Sequence, residues 1–103
     1  SNGNGKSLDQ LVLAIQKQAG SVKSIGNTLK FDFGDQQLLI DGSGDQNKVS
    51  TDNIDADCTV SLGFDDFQSM IAGKLNPMNA MMSGKMKIDG DMGVAMKLQS
   101  LFS

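Results

Sequence analysis

Residues 84–102 read Gly-Lys-Met-Lys-Ile-Asp-Gly-Asp-Met-Gly-Val-Ala-Met-Lys-Leu-Gln-Ser-Leu-Phe. Their pattern changes period once. Over Lys85–Asp89 the apolar Met86 and Ile88 alternate with Lys85, Lys87 and Asp89, which predicts a strand with one face inward. Gly90 turns the chain and Asp91 suits a helix N-cap. Met92–Phe102 then predicts one last helix. That helix has two apolar sectors: Val94, Leu98, Leu101 and Phe102 form one, and Met92, Ala95 and Met96 form the other. A surface helix needs only one such stripe. A helix with two wants a sheet on one side and a partner, a bilayer or an apolar ligand on the other.

Upstream, Asn76-Pro77 reads as a cap followed by a first-turn proline and opens a short helix carrying Met78, Met81 and Met82 up to Gly84. Before it, Phe64, Phe67, Met70 and Ile71 form the stripe of another helix, with Asp65 as expected N-cap, Gln68 completing a capping box, and Gly73 as the stop. Asp57–Leu62 alternates as a strand, with Cys58, Val60 and Leu62 inward. Thr28–Phe33 and Gln37–Asp41 read as two strands joined by a turn at Gly34-Asp35, and Lys48–Ser50 as at most a short edge strand. Ser7 caps a first helix whose Leu8, Leu11, Val12, Ile15 and Ala19 share one stripe, and Gly20 closes it. That stripe suits a core, with a membrane as the weaker alternative. Residues 1–6, Ser-Asn-Gly-Asn-Gly-Lys, read as a disordered leader or an expression scar, and 7–103 as a single domain.

The chain has 103 residues, room for one domain. It contains no His, Glu, Arg, Trp or Tyr: every acid is Asp and every base is Lys. Without His there is no imidazole base, no serine triad and no imidazole metal ligand. With Cys58 as the one cysteine, there is no internal disulfide and no cysteine zinc cluster. Asp55 and Asp57 stand at calcium-loop spacing, but the loop's glycine and closing Glu are missing, so a solvated turn is expected. Asp65-Asp66 and Asp89 with Asp91 sit at helix starts, where capping is the expected role rather than acid–base chemistry. A net charge of −3 gives no general attraction to nucleic acid or to an anionic membrane. We therefore expect no catalytic residue, no metal and no cofactor.

All seven methionines lie between positions 70 and 96. Met is unbranched and polarizable, and suits a lining that must accept several shapes; an ordinary methionine-rich core is the alternative. A rigid, empty cavity of ~500 Å³ would cost on the order of 12 kcal/mol at about 24 cal/mol per Å³. Such a space must hold ligand, admit water or collapse, and methionine permits collapse. Burying ~15 methylenes of a lipid chain offers up to ~12 kcal/mol before binding costs.

Asp57-Cys58-Thr59, Phe67, Gly73-Lys74-Leu75-Asn76-Pro77, Gly84-Lys85-Met86-Lys87-Ile88 and Gly90 to Gln99 stand in the order and spacing of the sterol carrier protein type-2 domain, also called non-specific lipid-transfer protein. The chain resembles that family most closely from about Ala56 to Leu101. The resemblance implies an α+β fold: a five-stranded, mostly antiparallel (mixed) sheet with helices packed on one face and an apolar tunnel between them. It implies non-catalytic intracellular binding and transfer of sterols, fatty acids, fatty acyl-CoA and phospholipids, in peroxisomes or cytoplasm. Two departures stand out. Leu101-Phe102-Ser103 is not a peroxisomal tripeptide, so either a tail was removed or delivery takes another route. Met81 and Met82 stand where the family usually has aromatic residues.

The expected lipid-binding wall is Phe67, Met70, Ile71, Met78, Met81, Met82, Met86, Met92 and Met96, with Gln99 as a polar contact. Lys74, Lys85 and Lys87 could meet an acyl-CoA phosphate but need no role beyond solvation. The expected partners are a long-chain lipid or sterol and, transiently, a membrane, with the protein a monomer. The alternative is a docking or substrate-presenting module of a larger β-oxidation enzyme or complex.

Overall fold

The computed structural model describes residues 7–102, apart from the side chain of Gln99. The expected leader 1–6 lies outside the described residues. Ten elements follow in order: α1 (Leu8–Gly20), β1 (Thr28–Asp32), β2 (Gln37–Asp41), β3 (Lys48–Ser50), β4 (Cys58–Leu62), α2 (Phe64–Ile71), α3 (Pro77–Met82), β5 (Met86–Gly90), α4 (Met92–Ala95) and α5 (Leu98–Phe102). The strands form one sheet in the order β3-β2-β1-β4-β5. β1 and β4 run parallel and the other neighbours antiparallel, giving the mixed α+β architecture expected.

Register decides which face is apolar. Leu29 lies opposite Ile40 and Cys58, Phe31 opposite Leu38 and Val60, and Leu62 opposite Met86. Side chains paired across a ladder share a face, so these residues make one apolar surface. All eight are buried there, in the same core as Leu11, Ile15 and Ala19 of α1. On the other face, Lys30 donates its ammonium to the Ile54 carbonyl at 2.8 Å and to Asn53 Oδ1 at 3.2 Å. Those two bonds hold the segment that carries the chain from β3 to β4 across β2 and β1.

Two side chains lock α1 to this sheet. Gln16 Oε1 accepts from the Val49 N–H at 2.7 Å, and Gln16 Nε2 donates to the Asn47 carbonyl at 2.9 Å. An α1 side chain thus stands in for the missing neighbour of edge strand β3, blunting that edge. Asn47 is fully buried and polar, yet completely bonded. Its Oδ1 accepts from the Ile25 N–H, and its Nδ2 donates to the Ala19 and Lys23 carbonyls. A buried amide with every partner made pins its surroundings to one arrangement.

Two expectations about helices are corrected. The N-cap of α2 is Gly63, not Asp65. The helix starts at Phe64, whose ring packs edge-on against Phe33 at 5.2 Å. Asp65 and Asp66 therefore sit in the first turn, where their charge faces the positive end of the dipole. A complete capping box occurs instead at Ser7 and Gln10 of α1. The single helix expected over Met92–Phe102 is two helices. Between them Lys97 Nζ donates to the Ile25 carbonyl at 2.6 Å and to Asn27 Oδ1 at 2.9 Å. The break lets α4 bury Val94 and Ala95 over β4 and β1, while α5 buries Leu98 and Leu101 beside α1. The two apolar sectors read in the sequence do not map onto the two helices: α4 buries one residue of each, Val94 and Ala95, while Met92 and Met96 of the second sector are exposed.

Gly90 ends β5 with φ of 110°, and the Asp57 carbonyl accepts from the next residue's N–H at 2.8 Å. A β-carbon at Gly90 would press into Asp57 and lie 3.1 Å from Cys58 Cα, so the close approach requires glycine here.

Candidate functional site

The five phenylalanines of the chain meet at one end of the apolar face. Phe31 comes from β1 and Phe33 from just after it, Phe64 and Phe67 from α2, and Phe102 from the end of α5. Ring centroids lie 4.8 Å apart for Phe31–Phe67, 4.9 Å for Phe33–Phe67, 5.8 Å for Phe31–Phe102 and 6.2 Å for Phe67–Phe102. Tilted and edge-on pairs at such distances gain beyond their buried area. Phe67 sits at the centre of this connected cluster. Of the five, only Phe67 is among the lipid-wall residues expected from sequence. The signal for Phe31 and Phe33 was their alternation, and for Phe64 its three-residue spacing from Phe67.

The structure divides the expected wall residues. Phe67, Met70 and Met86 are buried, and Ile71 and Met81 are half-buried against the same core. These side chains belong to the core between sheet and helices, where the resemblance implies a tunnel. Met78, Met82, Met92 and Met96 point the other way, with 60%, 81%, 50% and 80% of their surface exposed. Met78 and Met82 of α3 lie four residues apart on one helical face, and Met92 of α4 lies four residues before the C-cap residue Met96. The Gln99 side chain lies outside what the structure describes.

Short helices suit this region. Asn76 caps α3 by accepting from the N–H groups of Met78 and Asn79, and Pro77 opens its first turn. Both α2 and α3 end in the same way. The Gly73 N–H donates to the Met70 carbonyl and the Lys74 N–H to that of Ser69; the Gly84 N–H donates to the Met81 carbonyl and the Lys85 N–H to that of Ala80. These are paired closures through a left-handed glycine, with φ of 75° and 79°. The lysine after each glycine is exposed, and so is Lys87.

The polar groups nearby serve structure. Asp57 Oδ2 accepts from the Thr28 N–H at 3.0 Å and from Asn27 Nδ2 at 3.3 Å, while its own N–H donates to Thr28 Oγ1 at 2.8 Å. The Thr28 backbone bond, then the Asn27 amide, hold the Asp57 carboxyl below the usual range. Asp91 caps α4 through the Gly93 N–H at 2.8 Å. Burial, helped by Asp91 and Asp89, pushes the Cys58 thiol up, which disfavours the nucleophilic thiolate. No cluster of three or more His, Cys or Asp side chains suited to a metal occurs among the described residues. No helix among them is long and apolar enough to cross a membrane. A surface groove of about 370 Å³ lies elsewhere, lined by Ser7, Leu8, Asp9, Asp35, Gln36, Gln37 and Thr51. Its rim is mainly polar and shares no residue with the methionine region.

Comparison with known proteins places this geometry. A model of the SCP-2 sterol transfer family matches residues 8–103. Sterol carrier protein 2 of Rattus norvegicus is 38% identical over 87 residues, which is 78% of this chain but 16% of the rat protein. The chain thus spans less than a fifth of that relative's length. Sterol carrier protein 2 from Yarrowia lipolytica, solved in its apo form, superposes with a TM-score of 0.75 at 20% identity, covering 96% of this chain and 91% of the yeast one. Palmitated SCP2L2 from Aedes aegypti superposes with a TM-score of 0.72 at 23% identity, covering 94% and 95%. Both structural likenesses concern the fold.

Proposed function

The chain belongs to the SCP-2 sterol transfer family, and on that premise we propose that it is a non-catalytic carrier holding a long-chain lipid or sterol between the sheet and its helices. The observation that carries this reading is the composition of one seam. Where α2 and α3 meet the apolar face, the buried side chains are Phe67, Met70 and Met86, with Ile71 and Met81 half-buried beside them. Methionine gives way without losing contact, so a chain entering here displaces thioethers rather than opening an empty void. The palmitated Aedes aegypti relative supports a fatty acyl chain as one such ligand.

In this reading Phe67, Met70, Ile71, Met81 and Met86 line the ligand, with Gln99 near its polar end. The outward Met78, Met82, Met92 and Met96 serve the mouth and its surroundings. Sterols, fatty acids, fatty acyl-CoA and phospholipids are the candidate ligands, and the protein works as a monomer, inside the cell, with transient membrane contact. A second reading follows from the rat relative's greater length: as part of a longer chain, this domain presents ligand to an attached enzyme, with exposed Met92 and Met96 at the junction.

The test is a titration of delipidated protein with a fluorescent fatty acid, followed by thermal unfolding. Saturable binding is expected, together with a rise in Tm, since a ligand at 100 times its Kd stabilises by about 2.7 kcal/mol. No Tm rise with fatty acid, sterol or phospholipid overturns the proposal.

A further inference from the structure

The two edges of the sheet are finished differently. At β3, Gln16 of α1 accepts from the Val49 N–H and donates to the Asn47 carbonyl, which closes that edge. The other edge is β5. One contact fixes which of its backbone groups are used. The Asp91 N–H donates to the Asp57 carbonyl, in line with the Thr59–Asp89 and Ser61–Lys87 pairs of the β4–β5 register. Bonded and non-bonded pairs alternate along an antiparallel ladder. The N–H and C=O of Lys87 and Asp89 therefore point to β4, and those of Met86, Ile88 and Gly90 point away. Met86 is buried, whereas Ile88 is half-buried and Gly90 exposed, so the edge is open over Ile88–Gly90. Among the described residues, no hydrogen bond beyond the sheet reaches Ile88 or Gly90.

The charges about this opening are antisymmetric. Residues 85–91 read Lys-Met-Lys-Ile-Asp-Gly-Asp, with lysines before Ile88 and aspartates at the matching places after it. Lys87 and Asp89 are exposed on the sheet face opposite the core, since their neighbours Ser61 and Thr59 flank the buried Val60. An unpaired edge is a template for another strand, and an edge of one sign repels its own copy. Here one register does the reverse. Laid antiparallel on itself about Ile88, β5 sets Lys87 opposite Asp89 of the copy, and Asp89 opposite Lys87 of the copy. The outward N–H and C=O of Ile88 then meet their own counterparts. A slip of two residues, the smallest that again matches outward groups, puts Lys87 on Lys87 or Asp89 on Asp89.

We propose that two copies of this chain associate through β5, antiparallel and centred on Ile88, joining their sheets edge to edge about a two-fold axis. The paired stretch is short, so the contact falls below ~1,200 Å² and belongs to the transient class. In dilute solution the chain stays the monomer of the carrier reading, on which this inference does not depend. The pair forms where copies are crowded.

The test reverses one charge at a time, because both side chains are exposed and outside the core. Asp89→Lys leaves lysine at both positions, and Lys87→Asp leaves aspartate at both. Each variant alone should self-associate more weakly by about tenfold or more, since two attractive cross-strand pairs become repulsive. An equimolar mixture of the two should recover association, because the mixed pair has opposite charges at both positions. Sedimentation equilibrium of the whole chain at low salt, up to about 1 mM, reads this, and circular dichroism checks that each variant is folded. In the unmodified chain, the Ile88 amide should exchange with deuterium more slowly as concentration rises, and added salt should reverse the effect. No association at the highest concentration, folded variants that associate as the unmodified chain does, or a mixture no better than its components overturns the proposal. Association that leaves Ile88 exchange unchanged also overturns it, and assigns the contact to another surface such as the exposed Met78 and Met82.

Discussion

The two ends of the apolar sheet face are packed by different means. Toward β2 and β3, α1 supplies Leu11, Ile15 and Ala19, the sheet supplies Leu38 and Ile40, and the buried Asn47 amide bolts the loops beneath. Toward β4 and β5 the cover is three short helices, α2 and α3 carrying Phe67, Met70 and Met81 and α4 carrying Val94 and Ala95, and the polar bonds of α2 and α3 close helix ends rather than cross the seam. Branched aliphatics around a satisfied polar pin specify one arrangement. Unbranched thioethers around a ring cluster specify a volume and leave its shape open. The two ends therefore differ in how closely their side chains specify one packing, and the proposed carrier would use that difference to take apolar ligands of varied shape.

The sharpest way to break this contrast is at the pin. Asn47→Ala leaves the Ile25 N–H and the Ala19 and Lys23 carbonyls without their partner. Buried groups orphaned in this way cost about 1–3 kcal/mol apiece when water cannot reach them, so urea denaturation should show a loss of about 3 kcal/mol. A loss below 1 kcal/mol would mean that water replaces the amide and that this end is not rigid.

A smaller effect is expected at the soft end. Met70→Leu keeps volume in the seam and should change stability by less than about 1.5 kcal/mol. It should lower affinity for at least one ligand class, because a branched side chain adapts less. Unfolding and fatty acid titration of the same variant separate the two. A large stability loss with unchanged binding would make the seam an ordinary core.

The smallest effect concerns the strand starts where the two ends join. The Asp57 carboxyl is held below its ordinary pKa, chiefly by the Thr28 N–H and then by Asn27. A carboxyl depressed in the folded state stabilises fully above its unfolded pKa of about 3.9. That contribution is lost as pH falls through the lower folded value. Tm should therefore drop on acidification, and Asp57→Asn should flatten part of the drop. An unchanged profile would show that the contact does not couple to folding.

Much of the fold was legible because period and punctuation agree in this chain. The alternation of Leu29, Phe31 and Phe33 gave β1, and Asn76-Pro77 with Gly84 bracketed α3. The break between α4 and α5 was not legible: it depends on Lys97 reaching carbonyl and amide oxygens of residues 25–27, some seventy positions away. Asn47 and Gln16 were silent for the same reason, since nothing local marks a polar residue as a long-range pin. The residues proposed to face lipid were only partly legible. Methionine content marks the region, but the sequence does not say which of Met78, Met81 and Met82 turns inward until α3 is placed on β5.

The central claim is that ligand enters the soft end and leaves the pinned end undisturbed. It is read most directly by methyl-resolved NMR of protein titrated with palmitate, following Met70, Met81 and Met86 against Ile15 and Ile40. The account predicts saturable shifts and direct contacts to the acyl chain at the three methionines, with the two isoleucines unmoved. Shifts centred on Ile15 and Ile40, or no saturable change at any methionine, would contradict it.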